Sequence, residues 1–182
     1  MATLFLVRHG RAAAGFGAHH DPGLDDLGRV QAASTANVLA PLGPLAIYSS
    51  PLARARETAT PLAERWGIEP VIEHRVTEIP SPTDDLAQRA AWLRNAMQGR
   101  WRALPGDLQR WRHALIERLL AIDEDSVVFC HYVAINVAVG AALADDRLVC
   151  FRPDNGSITR LANNDGRLRV IELGRESETL VS

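Results

Sequence analysis

Two histidines follow short apolar runs in this chain. His9 comes after TLFLV at 3–7, with Arg8 immediately before it, and His131 comes directly after SVVFC at 126–130. If both runs are buried strands of one sheet, both imidazoles emerge at carboxyl ends of strands, where open α/β sheets bind their ligands. Two imidazoles converging on one crevice need a joint explanation. The neighbouring arginines narrow it: Arg8 touches His9 in sequence, and Arg54 and Arg56 lie early on the helix expected after the second strand. Neutral imidazoles beside planar, permanently charged guanidinium donors suit a dianionic phosphate.

The elements that must position these groups alternate in kind. Apolar runs predict strands over 3–7, 45–48, 71–72 and 126–130, and helical spacing predicts helices over 25–39, 51–66, 84–98, 107–122 and about 132–144. Asp25 or Asp26 suits the first N-cap, Pro51 the first turn of the second helix, and Thr83 or Asp84 the cap of the third. A terminal hairpin is expected from 157–162 and 168–173, joined across Asn163-Asn164-Asp165-Gly166. The segments 10–24 and 79–83 read as loops. Alternating strands and helices imply an α/β fold, three layers of α/β/α around a largely parallel central sheet. At 182 residues the expectation is a single domain spanning 1–182, large enough to bury roughly 70% of its extended surface.

Composition removes several chemistries. All 20 basic residues are arginine, so a Schiff-base lysine and a GxxxxGK[ST] phosphate loop are both excluded. A net charge of −2 does not suit the neutralisation of a nucleic-acid backbone. Cys130 and Cys150 make neither a disulfide framework nor zinc-ligand spacing, and Cys130 reads as a small buried side chain. No apolar stretch approaches the roughly 18 residues of a membrane span. The apolar N-terminal run is short and lacks a basic leader, so a cytoplasmic location is expected.

LVRHG at 6–10, SSPLARARETA at 49–59 and VVFCH at 127–131, in that order, resemble the histidine phosphatase superfamily, the phosphoglycerate mutase-like proteins; NGSITRL at 155–161 is similar to that family's terminal strand. The resemblance spans nearly the whole chain, and the segment from Asp21 to Ala32 is similar to the compact phosphatase branch. It implies that His9 is the nucleophile, that Arg8 and Arg54 bind phosphoryl oxygens, that His131 is the second pocket histidine, and that Glu78 is the proton donor. Arg56 falls outside the motif and reads as a solvated helix arginine. The implied activity is hydrolysis of a phosphomonoester through a phosphohistidine, on a small-molecule substrate or a phosphoprotein. Neither a metal nor a cofactor is implied.

Other readings stand beside this one. The chain is short for a phosphoglycerate-type mutase and lacks that group's ERHYG-like segment after the acid, but a mutase and a non-catalytic phosphate-binding regulatory module are the alternatives. Asp84 and Asp85 are substitutes for Glu78, or caps of the following helix. His19, His20 and Asp21 lack helical metal-ligand spacing and read as loop residues at the pocket mouth. Trp101 and Trp111, each between arginines, read as packing with snorkelling arginines rather than a stacking platform for bases. Arg11 sets a third cation near His9, and Tyr132 puts a bulky ring after His131. Oligomeric state and substrate identity are not legible.

Overall fold

The computed structural model describes residues 1–178. In chain order it contains β1 (Ala2–Arg8), α1 (Asp26–Leu39), β2 (Ala46–Ser49), α2 (Ala53–Trp66), β3 (Val71–Ile72), α3 (Leu86–Ala96), α4 (Gly106–Leu120), β4 (Ser126–Cys130), α5 (Tyr132–Leu143), β5 (Ile158–Asn164) and β6 (Arg167–Glu172). The six strands form one mixed sheet in the order β3-β2-β4-β1-β5-β6. β3, β2, β4 and β1 run parallel, and β5 is antiparallel to both β1 and β6. This is the expected α/β fold with a mostly parallel sheet.

Strand alternation creates the three layers. From β1 and β4, Phe5, Val7, Val127 and Phe129 face the core shared with α1 and α2. Leu4, Leu6, Val128 and Cys130 face the opposite core, shared with α3, α4 and α5. β4 lies between β2 and β1 and is buried along its whole length, which is why SVVFC reads as continuous rather than alternating hydrophobicity. Trp101 is fully buried in the second core and stacks on Trp111 at 6.0 Å, with Arg112 over its ring.

Several boundaries move for identifiable reasons. α2 begins at Ala53, not Pro51, because its N-terminus is capped from a distance: Asp21 Oδ1 accepts from the Ala53 N–H at 2.8 Å. Asp85 caps α3 by accepting from the Gln88 N–H at 2.9 Å, in place of Thr83 or Asp84. Asn163 and Asn164 extend β5, since Asn163 Nδ2 donates to the carbonyls of Leu119, Leu120 and Ile122 at the end of α4. The hairpin turn is therefore Asp165-Gly166, both at positive φ (51° and 73°), as a two-residue turn matched to strand twist requires. Among the described residues, no helix is long and apolar enough to cross a membrane.

Candidate active site

The carboxyl ends of three adjacent strands build the site. The register sets Arg8 opposite Cys130, the His9 N–H donates to the Cys130 carbonyl, and the Ser50 N–H donates to the Phe129 carbonyl. His9, His131 and Ser50 thus leave β1, β4 and β2 at one level. The two imidazole centroids are 5.3 Å apart. Arg8, His9, Arg54, Glu78 and Tyr132 line one pocket, with Phe16, His19 and His20 at its mouth.

The hydrogen bonds define the state of His9. Nδ1 lies 2.7 Å from the Gly10 carbonyl, which can only accept, so Nδ1 carries the proton. Arg54 Nε donates to Nε2 at 3.2 Å, so Nε2 carries the lone pair. Burial, then the charges of Arg54 and Arg8, hold the His9 pKa well below its ordinary value. The ring is a neutral imidazole with its nucleophilic nitrogen beside a cation.

The backbone under His9 is fixed by close packing. The Gly10 N–H donates to Thr58 Oγ1 at 3.0 Å, and that hydroxyl donates to the Arg54 carbonyl. A Cβ on Gly10 would meet the Gly28 carbonyl oxygen at 2.4 Å, and one on Gly28 would meet the Arg11 carbonyl oxygen at 2.2 Å. The loop after β1 and the first turn of α1 therefore touch backbone to backbone, which any larger residue would prevent. Asn155 Nδ2 closes the arrangement from the other side by donating to the His9 carbonyl.

Both motif arginines are buried. Arg8 donates to the Pro153 carbonyl at 2.9 Å and lies 5.1 Å over the Tyr132 ring. Burial lowers the pKa of both guanidiniums, and the nearby Glu78 charge opposes that. His131 is fully buried, with Nε2 2.8 Å from Ser50 Oγ; burial and the two cations keep it neutral. Three buried polar atoms near His9 have no protein partner among the described residues: Arg8 Nε, His131 Nδ1 and the Tyr132 hydroxyl.

Glu78 reaches the pocket from the loop between β3 and α3 and caps α5 from outside. Its Oε1 accepts from the N–H groups of Ile79, Val133 and Ala134 at 3.0 to 3.2 Å, whereas Oε2 accepts only from Val133, at 3.1 Å. Burial raises the Glu78 pKa; the backbone donors and the two arginines oppose it without reversing the direction. Oε2, with fewer donors aimed at it, is the oxygen suited to carry a proton.

The remaining candidates fall outside this cluster. Arg11 pairs with Asp25 on the surface, and Arg56 is exposed. Asp84 is exposed and Asp85 is occupied as a cap. His19 Nδ1 accepts from the Asp21 N–H, His20 contacts Arg89, and Asp21 caps α2. Sequence reasoning missed Ser50, Thr58 and Asn155. Ser50 carried a usable signal, since it stands at a strand's carboxyl end as the two histidines do. Thr58 and Asn155 lie within the SSPLARARETA and NGSITRL segments, but their roles arise from packing between distant segments and show no local pattern.

Residues 4–175 match the family model of the histidine phosphatase superfamily, branch 1. A glucosyl-3-phosphoglycerate phosphatase of Mycolicibacterium vanbaalenii is 42% identical over 79 residues, covering 41% of this chain and 35% of that protein. Its namesake in Mycobacterium tuberculosis is 39% identical over the same length and with the same coverage. The matched segment thus spans about a third of these curated relatives. A mycobacterial glucosyl-3-phosphoglycerate phosphatase complexed with VO3 superposes with a TM-score of 0.73 at 26% identity, over 97% of this chain and 100% of that one. A phosphoserine phosphatase from Entamoeba histolytica with 3-phosphoglyceric acid gives 0.75 at 22% identity, over 97% and 98%, and shares the fold. The chain belongs to the histidine phosphatase superfamily.

Proposed function

We propose that this protein hydrolyses a phosphomonoester in two steps through a phosphohistidine on His9. Arg54 Nε shifts its hydrogen bond from His9 Nε2 to a phosphoryl oxygen. The freed Nε2 lone pair attacks phosphorus as the ester P–O bond breaks, and the leaving oxygen takes its proton from the Glu78 carboxyl. Water then attacks phosphorus, Glu78 removes its proton, and the N–P bond breaks to release inorganic phosphate and neutral His9. Arg8, Arg54 and His131 hold the equatorial oxygens, where charge stabilisation contributes most to phosphoryl transfer. The unpartnered Arg8 Nε and His131 Nδ1 support this: a buried unmade hydrogen bond costs about 1–3 kcal/mol, and phosphoryl oxygens would relieve it.

The observation that carries the reading is the tautomer of His9, with Nδ1–H tied to the Gly10 carbonyl and Nε2 facing Arg54. The carbonyl accepts the proton-bearing side as the ring becomes cationic on phosphorylation, so the positive charge forms against a fixed dipole.

The opposite pKa shifts of His9 and Glu78 complete the scheme. The reaction needs histidine neutral and glutamate protonated together. At ordinary values of about 6.5 and 4.3, histidine loses its proton only after glutamate has lost its own. Lowering the first and raising the second moves the two titrations toward the order the chemistry requires. His9→Ala tests the reading with an aryl phosphate: a loss on the order of 10⁴-fold or more is expected, and unchanged turnover would contradict it.

A further inference from the structure

A second cavity, of about 510 Å³, opens beside the reaction pocket, within the roughly 300–1,000 Å³ of small-molecule sites. Phe16 and Leu93 line both spaces, so the two adjoin at these side chains. Beyond them the walls are Met97 and Val149, and only Arg94, Arg152 and Gln98 contribute polar side chains. The wall from the loop after β1 is held in place. Arg89 lies 4.3 Å over the Phe16 ring, and a Cβ at Gly17 would meet the Ala90 Cβ at 2.7 Å, so this loop sits directly on α3. Asn136 fixes the opposite wall by accepting from the N–H groups of Cys150 and Phe151.

The chemistry of these walls selects an occupant. Hydroxyl-rich groups would lose water there and find few partners, a cost that apolar groups avoid. Arg94 and Arg152 are exposed, and among the described residues neither guanidinium has a carboxylate within 4.0 Å. Glu176 accepts from the Arg152 backbone N–H at 3.0 Å but pairs with neither guanidinium. Two unpaired guanidiniums beside an apolar channel complement a negative charge at the far end of an apolar group. We propose that this groove seats the substrate's leaving group, and that this group has an apolar body ending in an anion such as a carboxylate. The inference rests on the phosphatase reading above and narrows its substrate class.

The test compares kcat/KM of the full chain on butyl phosphate, hexyl phosphate, 6-phosphonooxyhexanoate and 3-phosphoglycerate, with phosphohistidine formation followed for each. Each buried methylene is expected to add about fourfold, so hexyl phosphate should exceed butyl phosphate by roughly fifteenfold. The terminal carboxylate should add up to about fivefold, as a partly exposed ion pair allows. The Arg94→Ala/Arg152→Ala double variant should lose that increment, bringing the ratio of 6-phosphonooxyhexanoate to hexyl phosphate down to about one. Met97→Ser should flatten the chain-length dependence, and Val149→Ser serves the same purpose should the first variant not fold. 3-Phosphoglycerate should fall at least tenfold below 6-phosphonooxyhexanoate. Phosphorylation of His9 with no dependence on chain length, or a preference for 3-phosphoglycerate, overturns this inference alone. No phosphorylation of His9 by any ester overturns the phosphatase reading and this inference with it.

Discussion

Arg54 Nε donates to His9 Nε2 across 3.2 Å, and the two residues reach each other from the first turn of α2 and the end of β1. A cation on the lone pair of an imidazole suppresses its protonation until a phosphoryl oxygen takes over the guanidinium N–H and frees that nitrogen to attack. Arg54→Ala is therefore expected to lower kcat/KM by roughly 10²–10³-fold. It should also let the His9 pKa rise toward its ordinary value, because only burial and the Arg8 charge then hold it down. The acid limb of the pH–rate profile should move to higher pH, which a purely structural role for Arg54 would not produce. Arg54→Lys keeps the charge but not the planar donor set, and should restore the limb better than the rate.

The wild-type profile should be bell-shaped. As pH rises, activity appears when His9 loses its proton, at a value below 6.5. It disappears when Glu78 loses its own, at a value above 4.5. Glu78→Gln should remove the descending limb and lower kcat on an alkyl phosphate by roughly 10²–10⁴-fold, the usual size of general acid catalysis. The effect on 4-nitrophenyl phosphate should be far smaller in the phosphorylation step, because that leaving group needs no proton. An equal loss on both esters would remove Glu78 from the acid role.

Gly28→Ala should cost about 1–3 kcal/mol of stability in denaturant unfolding, the usual range for overpacking. The added methyl would press on the Arg11 backbone at 2.2 Å and displace the loop that carries the Gly10 carbonyl. Activity should fall in the fully folded fraction as well. A variant as stable and active as the wild type would show that the loop and helix can separate without disturbing His9.

Glu73 supplies a pH-dependent stability unrelated to catalysis. Burial alone would raise its pKa, but hydrogen bonds from Arg75 and Arg118 outweigh that and hold it at about 2. A carboxylate depressed in the folded state stabilises fully above its unfolded value near 4.3, and that stability is lost as pH falls toward about 2. Glu73→Gln should lower stability at pH 7 by about 1–2 kcal/mol. The gap to wild type should narrow between about pH 4 and 2. A constant gap across that range would mean the charge contributes nothing.

Much of this site is legible in the amino-acid sequence. Arg8, His9 and His131 follow apolar runs, and position at a strand end is local information; Arg54 follows the next strand by a few residues. Glu78 was legible only through the family resemblance. Its meaning comes from the first turn of α5, 55 residues later in the chain, and no periodicity in 73–85 announces that contact. The Asp21 cap on α2 and the Asn163 bonds to the end of α4 moved element boundaries for the same reason: local propensity cannot see a distant side chain. The apolar groove was invisible in sequence because Phe16, Met97 and Val149 belong to three unconnected segments.

The most direct test of the central claim is to quench the enzyme during turnover of a ³²P-labelled phosphomonoester and look for protein-bound phosphate that is stable to alkali and labile to acid. The account predicts such a species in the wild type, mapped to His9, formed and discharged fast enough to support steady-state turnover, and absent from His9→Ala. Label on another residue, or full turnover by His9→Ala, would contradict it.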